Sequence, residues 1–151
     1  MSRPVDQDLL GGVGDRLLGG NSNWRGPIWF PVNYLVIEAL HTYARFFGDD
    51  ILIEHPAGSG RKVTLTVLAD DLARRLVSIF LDDENGRRPV FGDAGLFQTH
   101  RDWHNLLPFH EYFHGDTGRG VGACHQTGWT ALVADLVLRT ADHGATGNRH
   151  D

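Results

Sequence analysis

Apolar residues recur at intervals of three and four along three stretches of the chain. Val32, Leu35, Val36, Ala39, Leu40, Tyr43 and Phe47 share one face of a helix predicted over 32–47, which Gly48-Asp49-Asp50 ends. Leu65, Leu68, Leu72, Leu76, Ile79 and Phe80 do the same over 65–81, with Thr64 as N-cap and Asp82-Asp83-Glu84-Asn85-Gly86 as the stop. Trp129, Leu132, Val133, Leu136 and Val137 mark a third helix over 127–140. Between these helices, 54–63 reads as a loop, and 86–126 has no sustained helical period. A structureless connection of that length inside a domain usually carries function. Glycines at 11, 12, 14, 19 and 20 interrupt the short apolar pairs of the first twenty residues, and the tail from 141 is polar.

Three amphipathic helices joined by long loops predict an all-α chain whose helices pack as hairpins. At 151 residues the chain is one domain at most. A net charge of −5 gives no basic surface for nucleic acid. The single cysteine, Cys124, excludes an internal disulfide and fits a reducing compartment. Residues 1–8 lack the apolar stretch of a signal peptide, and no run reaches membrane-spanning length. These features set the expectation of a cytoplasmic protein with no membrane partner.

Chemistry concentrates in two clusters. His110-Glu111-Tyr112-Phe113-His114-Gly115-Asp116-Thr117-Gly118, running on to Gln126-Thr127-Gly128-Trp129, sets one acid among aromatics, histidines and glycines. Asn21-Ser22-Asn23-Trp24-Arg25-Gly26-Pro27-Ile28-Trp29 pairs tryptophans with hydrogen-bonding groups. A tryptophan face suits the C–H face of a pyranose, and a carboxylate such as Glu111 can take a proton from an attacking water. Against this stand a surface glutamate in a loop and tryptophans that only pack between helices, the commoner reading for Trp129.

His110-Glu111-Tyr112-Phe113-His114 also satisfies the pattern of zinc hydrolases, which needs both histidines on one helical face. Pro108 and Gly115 leave too little room for such a helix, so no metal is expected. Gly118-Arg119-Gly120-Val121-Gly122 lacks the Lys-Ser/Thr of a phosphate loop and reads as a tight turn bringing Glu111 near Gln126. Cys124 and His125 are sequence neighbours that point apart, which argues against a nucleophile pair. Asp93, Asp102 and Asp116 are further acids in the long loop, with Asp116 expected to cap its own turn.

The two clusters, with Val32-Asn33-Tyr34-Leu35 and His125-Gln126-Thr127-Gly128-Trp129-Thr130, resemble the C-terminal part of family 63 glycoside hydrolases and relatives acting on mannosylglycerate or glucosylglycerate, a group that includes processing α-glucosidase I. The likeness runs over about residues 18–139, leaving 1–17 poorly matched and 141–151 as a tail. It implies the C-terminal portion of an (α/α)6 toroid and hydrolysis of an α-glycosidic bond with inversion, without a cofactor. Glu111 corresponds to the general base, and Trp24, Arg25, Gly26, Trp29 and Gln126 to the substrate-binding positions. Inversion needs a second carboxyl roughly 6.5–9.5 Å away to protonate the leaving oxygen. The resemblance places that acid upstream of the Trp-Arg-Gly-Pro block, so the chain is expected to be a fragment, inactive alone, whose partners are an oligosaccharide or small glycoside and a missing N-terminal portion. A non-catalytic sugar-binding or interaction module is the alternative.

Overall fold

A computed structural model describes residues 26–146, which divide into two compact units. One comprises 31–77 with 132–146, the other 26–30 with 78–131. In the first, helix α1 (Phe30–Phe47) leads to strands β1 (Leu52–Glu54) and β2 (Lys62–Thr64), then α2 (Leu65–Ser78), and α5 (Val133–Thr146) completes it. The segment predicted as a loop over 54–63 is largely the turn of an antiparallel hairpin, in register Leu52↔Thr64, Ile53↔Val63 and Glu54↔Lys62.

The predicted helices are present, but the face chosen for α1 is corrected. Val32, Leu35, Val36, Tyr43 and Phe47 are exposed, and Phe46 is 80 % exposed. Beyond Phe30 at its start, the buried position is Ile37, with half-buried Tyr34, Glu38 and His41 around it. That face meets its neighbours through polar contacts. The Tyr34 hydroxyl donates to Asp135 at 2.7 Å, Arg139 donates to Tyr34 at 3.0 Å and to Glu38, and His41 faces Asp70 at 3.7 Å. Helical period alone ranks faces by apolar content, and α1 is apolar on more than one side. The α2 expectation holds better: Leu65, Leu76, Ile79 and Phe80 are buried, with Ala69, Ala73 and Val77 beside them.

The third predicted helix is interrupted. α4 (Thr127–Thr130) ends in a turn at Ala131–Leu132 before α5 begins, and α5 runs on to Thr146. Val133 and Leu136 are buried, whereas Trp129 and Val137 are exposed.

The other unit holds the stretch that lacked a period. A helical turn at Pro89–Phe91 precedes α3 (Gly95–Thr99), and β3 (Tyr112–Phe113) pairs antiparallel with β4 (Gly120–Val121). Its core is a triangle of Phe30, Phe80 and Phe113, edge to face at 5.8, 5.7 and 5.5 Å between centroids. Each such pair adds ~0.5–1.5 kcal/mol to the burial of its rings. The helical content fits a helical fragment, with two short hairpins that the all-α expectation omitted.

Candidate active site

Glu111 directly precedes β3, a strand held on both edges. Ile28 and Phe113 exchange both backbone hydrogen bonds, at 2.8 and 3.0 Å, which brings the Gly26–Trp29 segment against β3. On the opposite edge Tyr112 pairs with Val121 and Phe113 with Gly120. The Glu111 amide donates to the Ala123 carbonyl at 2.8 Å, and the Gln126 amide donates to the Phe109 carbonyl at 2.8 Å. The Thr130 hydroxyl donates to the His110 carbonyl, fixing α4 to the same strand.

Gly26, Trp29, Glu111 and Gln126 therefore converge on one backbone framework. Trp29 stacks on Tyr112 with centroids 4.7 Å apart and 28° between planes, and Trp129 meets the edge of Trp29 at 6.4 Å. The Glu111 carboxylate lies against the far hairpin arm, where the Ala123 amide donates to its Oε2 at 3.4 Å. Burial raises the Tyr112 phenol above its ordinary value, and the Glu111 charge adds to the shift. Gln126 is exposed at the start of α4. Trp24 and Arg25 lie outside the described residues.

Two glycines permit this packing. Gly26 has φ of 91°, and its carbonyl oxygen would lie 2.2 Å from a Cβ at position 115, so Gly115 must lack one. A Cβ on Gly122 would lie 2.7 Å from Glu111 Oε2, and Gly122 has φ of +75°. Sequence reasoning did not assign either glycine to the site. Their only signal was their place in a glycine-rich run, which does not say what approaches them. Tyr112, one of the aromatics around Glu111, is also the stacking partner of Trp29.

The zinc alternative fails on geometry. His110 to His114 runs through β3 and not along a helix. Residues four apart in extended chain are separated by roughly 13 Å, too far for one ion. Among the described residues no group of three or more His, Cys, Asp or Glu is placed to hold a metal. His110 instead packs flat over Gly120 and beside Phe113, at 6.3 Å between ring centroids. Burial holds its imidazole below the ordinary range; the Arg119 and His125 charges act the same way, and a Gly122 backbone hydrogen bond opposes them.

Two of the other acids are engaged with cations. Asp93 faces Arg87 at 3.8 Å, and Asp102 faces Arg101 at 3.3 Å and His100 at 3.9 Å. Asp116 is exposed, and its turn is closed by its neighbours. The Asp116 amide donates to His114 Nδ1 at 3.3 Å, and the Arg119 amide to Thr117 Oγ1 at 3.3 Å.

The family described as glycosyl hydrolase family 63 C-terminal domain matches residues 19–62. The chain is related to glycosyl hydrolase family 63. Over 123 residues, 80 % of this chain, it is 49 % identical to an uncharacterized protein of Saccharomyces cerevisiae, YMR196W, and covers 11 % of that protein. It is 29 % identical to the mannosyl-oligosaccharide glucosidase of the same yeast, across 83 % of this chain and 12 % of the enzyme. For mannosyl-oligosaccharide glucosidase GCS1 of Arabidopsis thaliana the figures are 25 %, 80 % and 10 %. The chain thus spans about a tenth of the length of these three relatives. No solved structure matches it.

These relatives overturn the cytoplasmic expectation. The matched mannosyl-oligosaccharide glucosidases are enzymes associated with the endoplasmic reticulum membrane. One cysteine forms no internal disulfide in any compartment, so cysteine count had no power to decide location. Among the described residues no helix is long and apolar enough to cross a membrane.

Proposed function

We propose that the chain is a C-terminal section of an inverting α-glucosidase of the family 63 type, with Glu111 as general base. The observation that carries this reading is the convergence of Trp29, Tyr112 and Glu111 on one strand framework, with Gln126 at its edge. The stacked aromatics offer a face for a pyranose ring, and Gln126, with Trp24 and Arg25 of the same block, supplies hydrogen bonds to its hydroxyls. Glu111 accepts a proton from the attacking water as that water reaches the anomeric carbon. A donor on the opposite side of the sugar protonates the departing oxygen. Since Asp93 and Asp102 are engaged with cations, we assign that donor to the part of the relatives' length that this chain does not span. The fold of that whole is then an (α/α)6 toroid, to which residues 18–140 contribute their helices and active-site loops, and the substrate is an α-linked oligosaccharide or small glycoside.

The test is to replace the matching 123 residues of YMR196W by those of this chain and to assay α-glucoside hydrolysis. Hydrolysis by the chimera that is lost in Glu111→Gln, with glucoside binding retained, supports the assignment. Turnover that survives Glu111→Gln refutes the base. Binding that depends on Trp29 but never yields turnover favours a non-catalytic sugar-binding module.

A further inference from the structure

The unit that holds Glu111 also contains a cleft of about 850 Å³, within the size range of small-molecule sites. Glu111 does not line it, so the cleft is separate from the carboxylate of the proposed active site. Most of its lining is apolar. Phe91, Phe97 and Trp103 form an aromatic wall, following one another at 5.3 and 5.4 Å between centroids, and Leu106, Leu107 and Pro108 continue it. Phe91 is buried, whereas Trp103 is 41 % exposed and offers ring surface to an occupant.

The wall is fixed by contacts of its own. The buried Gln98 side chain accepts from the Arg88 amide at 3.0 Å and donates to the Arg88 and Gly92 carbonyls at 2.9 and 3.0 Å. The Trp103 amide donates to the His100 carbonyl at 2.9 Å, and the Leu106 amide to the Trp103 carbonyl at 3.0 Å. Asp82 joins Arg88 at 3.1 Å and His104 at 3.3 Å, which ties the Trp103 loop to the segment after α2. A surface held this way avoids much of the ordering cost of binding. The lining carries one acid and one guanidinium, and both are engaged. Asp93 is fully exposed and faces Arg87 at 3.8 Å, and Arg119 has a partner of its own. An ionised ligand would give up hydration here without meeting an uncommitted counter-charge. A saccharide would turn many of its hydroxyls toward carbon, at a similar penalty. A flat aromatic molecule incurs neither cost and gains stacked or edge contacts with the rings of the wall.

We propose that this cleft binds an uncharged small molecule with a flat aromatic body, seated against Phe97 and Trp103. The site is independent of the glycosidase reading and stands or falls without it. Titration of the full chain with 2-naphthamide, its decahydro counterpart and 2-naphthoate tests flatness and charge in turn. The naphthamide should bind, and the saturated amide and the naphthoate should each bind several-fold more weakly. Trp103→Ala should weaken naphthamide binding about tenfold, and Trp103→Phe, which keeps a ring, by less. Cys124, the chain's single cysteine, lies in the lining and reports location: bound naphthamide should slow its alkylation by iodoacetamide several-fold. No naphthamide binding at millimolar concentration would overturn the proposal. So would equal or tighter binding of the saturated amide or the naphthoate, or naphthamide binding that leaves Cys124 alkylation unchanged. Methyl α-glucoside that protects Cys124 as well as naphthamide does would mark the cleft as a saccharide site instead. Should Trp103→Ala fail to fold, the ligand series on the unaltered chain and the Cys124 rates decide alone.

Discussion

Gly122 sets where the Glu111 carboxylate can sit. Its φ of +75° is strained for any side chain, and an added Cβ would lie 2.7 Å from Oε2. Gly122→Ala should therefore cost on the order of 1–3 kcal/mol in backbone strain alone, read as a lower urea midpoint. It should also weaken binding of an α-glucoside. A variant with unchanged midpoint and binding would show that the carboxylate is held by other contacts. His110 carries a pH dependence whose sign follows from its burial. Its folded pKa is lowered from 6.5, so the unfolded chain binds the proton more readily. The neutral ring's contribution is full above that value and is lost as pH falls from 6.5 toward the folded pKa. Thermal melts across this window should show a loss of stability on acidification that is smaller in His110→Asn. Equal acid sensitivity of the two proteins would remove His110 as its source. At this scale the resemblance grouped Glu111 with Trp24, Arg25, Gly26, Trp29 and Gln126, and backbone pairing brings the described members of that set near one another. Nothing in the sequence showed that Tyr112 stacks on Trp29, because ring contacts depend on strand pairing.

Among elements, α1 shows how a helix can be recognised while its buried face is not. Periodic apolar residues located the helix to within two residues at its start. The face turned to α5 is a polar one, joined by Tyr34, Glu38, Asp135 and Arg139. These groups are partly exposed, so each pair contributes modestly. Arg139 engages three of them, and Arg139→Ala should lower stability by about 1 kcal/mol with little change in helical circular dichroism. A loss below a few tenths would mean that apolar burial, as of Ile37, Val133 and Leu136, and not this polar network, holds the unit together. The 86–126 stretch was expected to carry function, but its structure was illegible. Strands of two residues, Tyr112–Phe113 and Gly120–Val121, are too short for a period of two to register.

Among the described residues, the apolar surface exposed on α1 is the dominant physical fact. Leu35 is 68 % exposed and Phe46 80 %, and Val32, Val36 and Tyr43 share the exposure. Contiguous apolar surface favours association. The chain should self-associate with rising concentration in sedimentation velocity. The double substitution Leu35→Lys with Phe46→Lys should restore a monomer without lowering the melting temperature. A monomer that needs no substitution would contradict this. Such surface is what α1 would present to further helices of a longer enzyme, in keeping with a chain that spans 12 % of its glucosidase relative.

By itself, the amino-acid order determined where α1 and α2 lie, that α2 buries Leu65 and Leu76, and which enzyme family the chain is related to. Those properties are local, being set by spacing, capping and runs of matching residues. Tertiary structure decided that Ile28 pairs with Phe113, that the third helix breaks at Ala131–Leu132, and that α1 turns its more polar side inward. Each depends on which distant segments satisfy one another's backbone groups and charges, and a one-dimensional pattern contains no term for that choice.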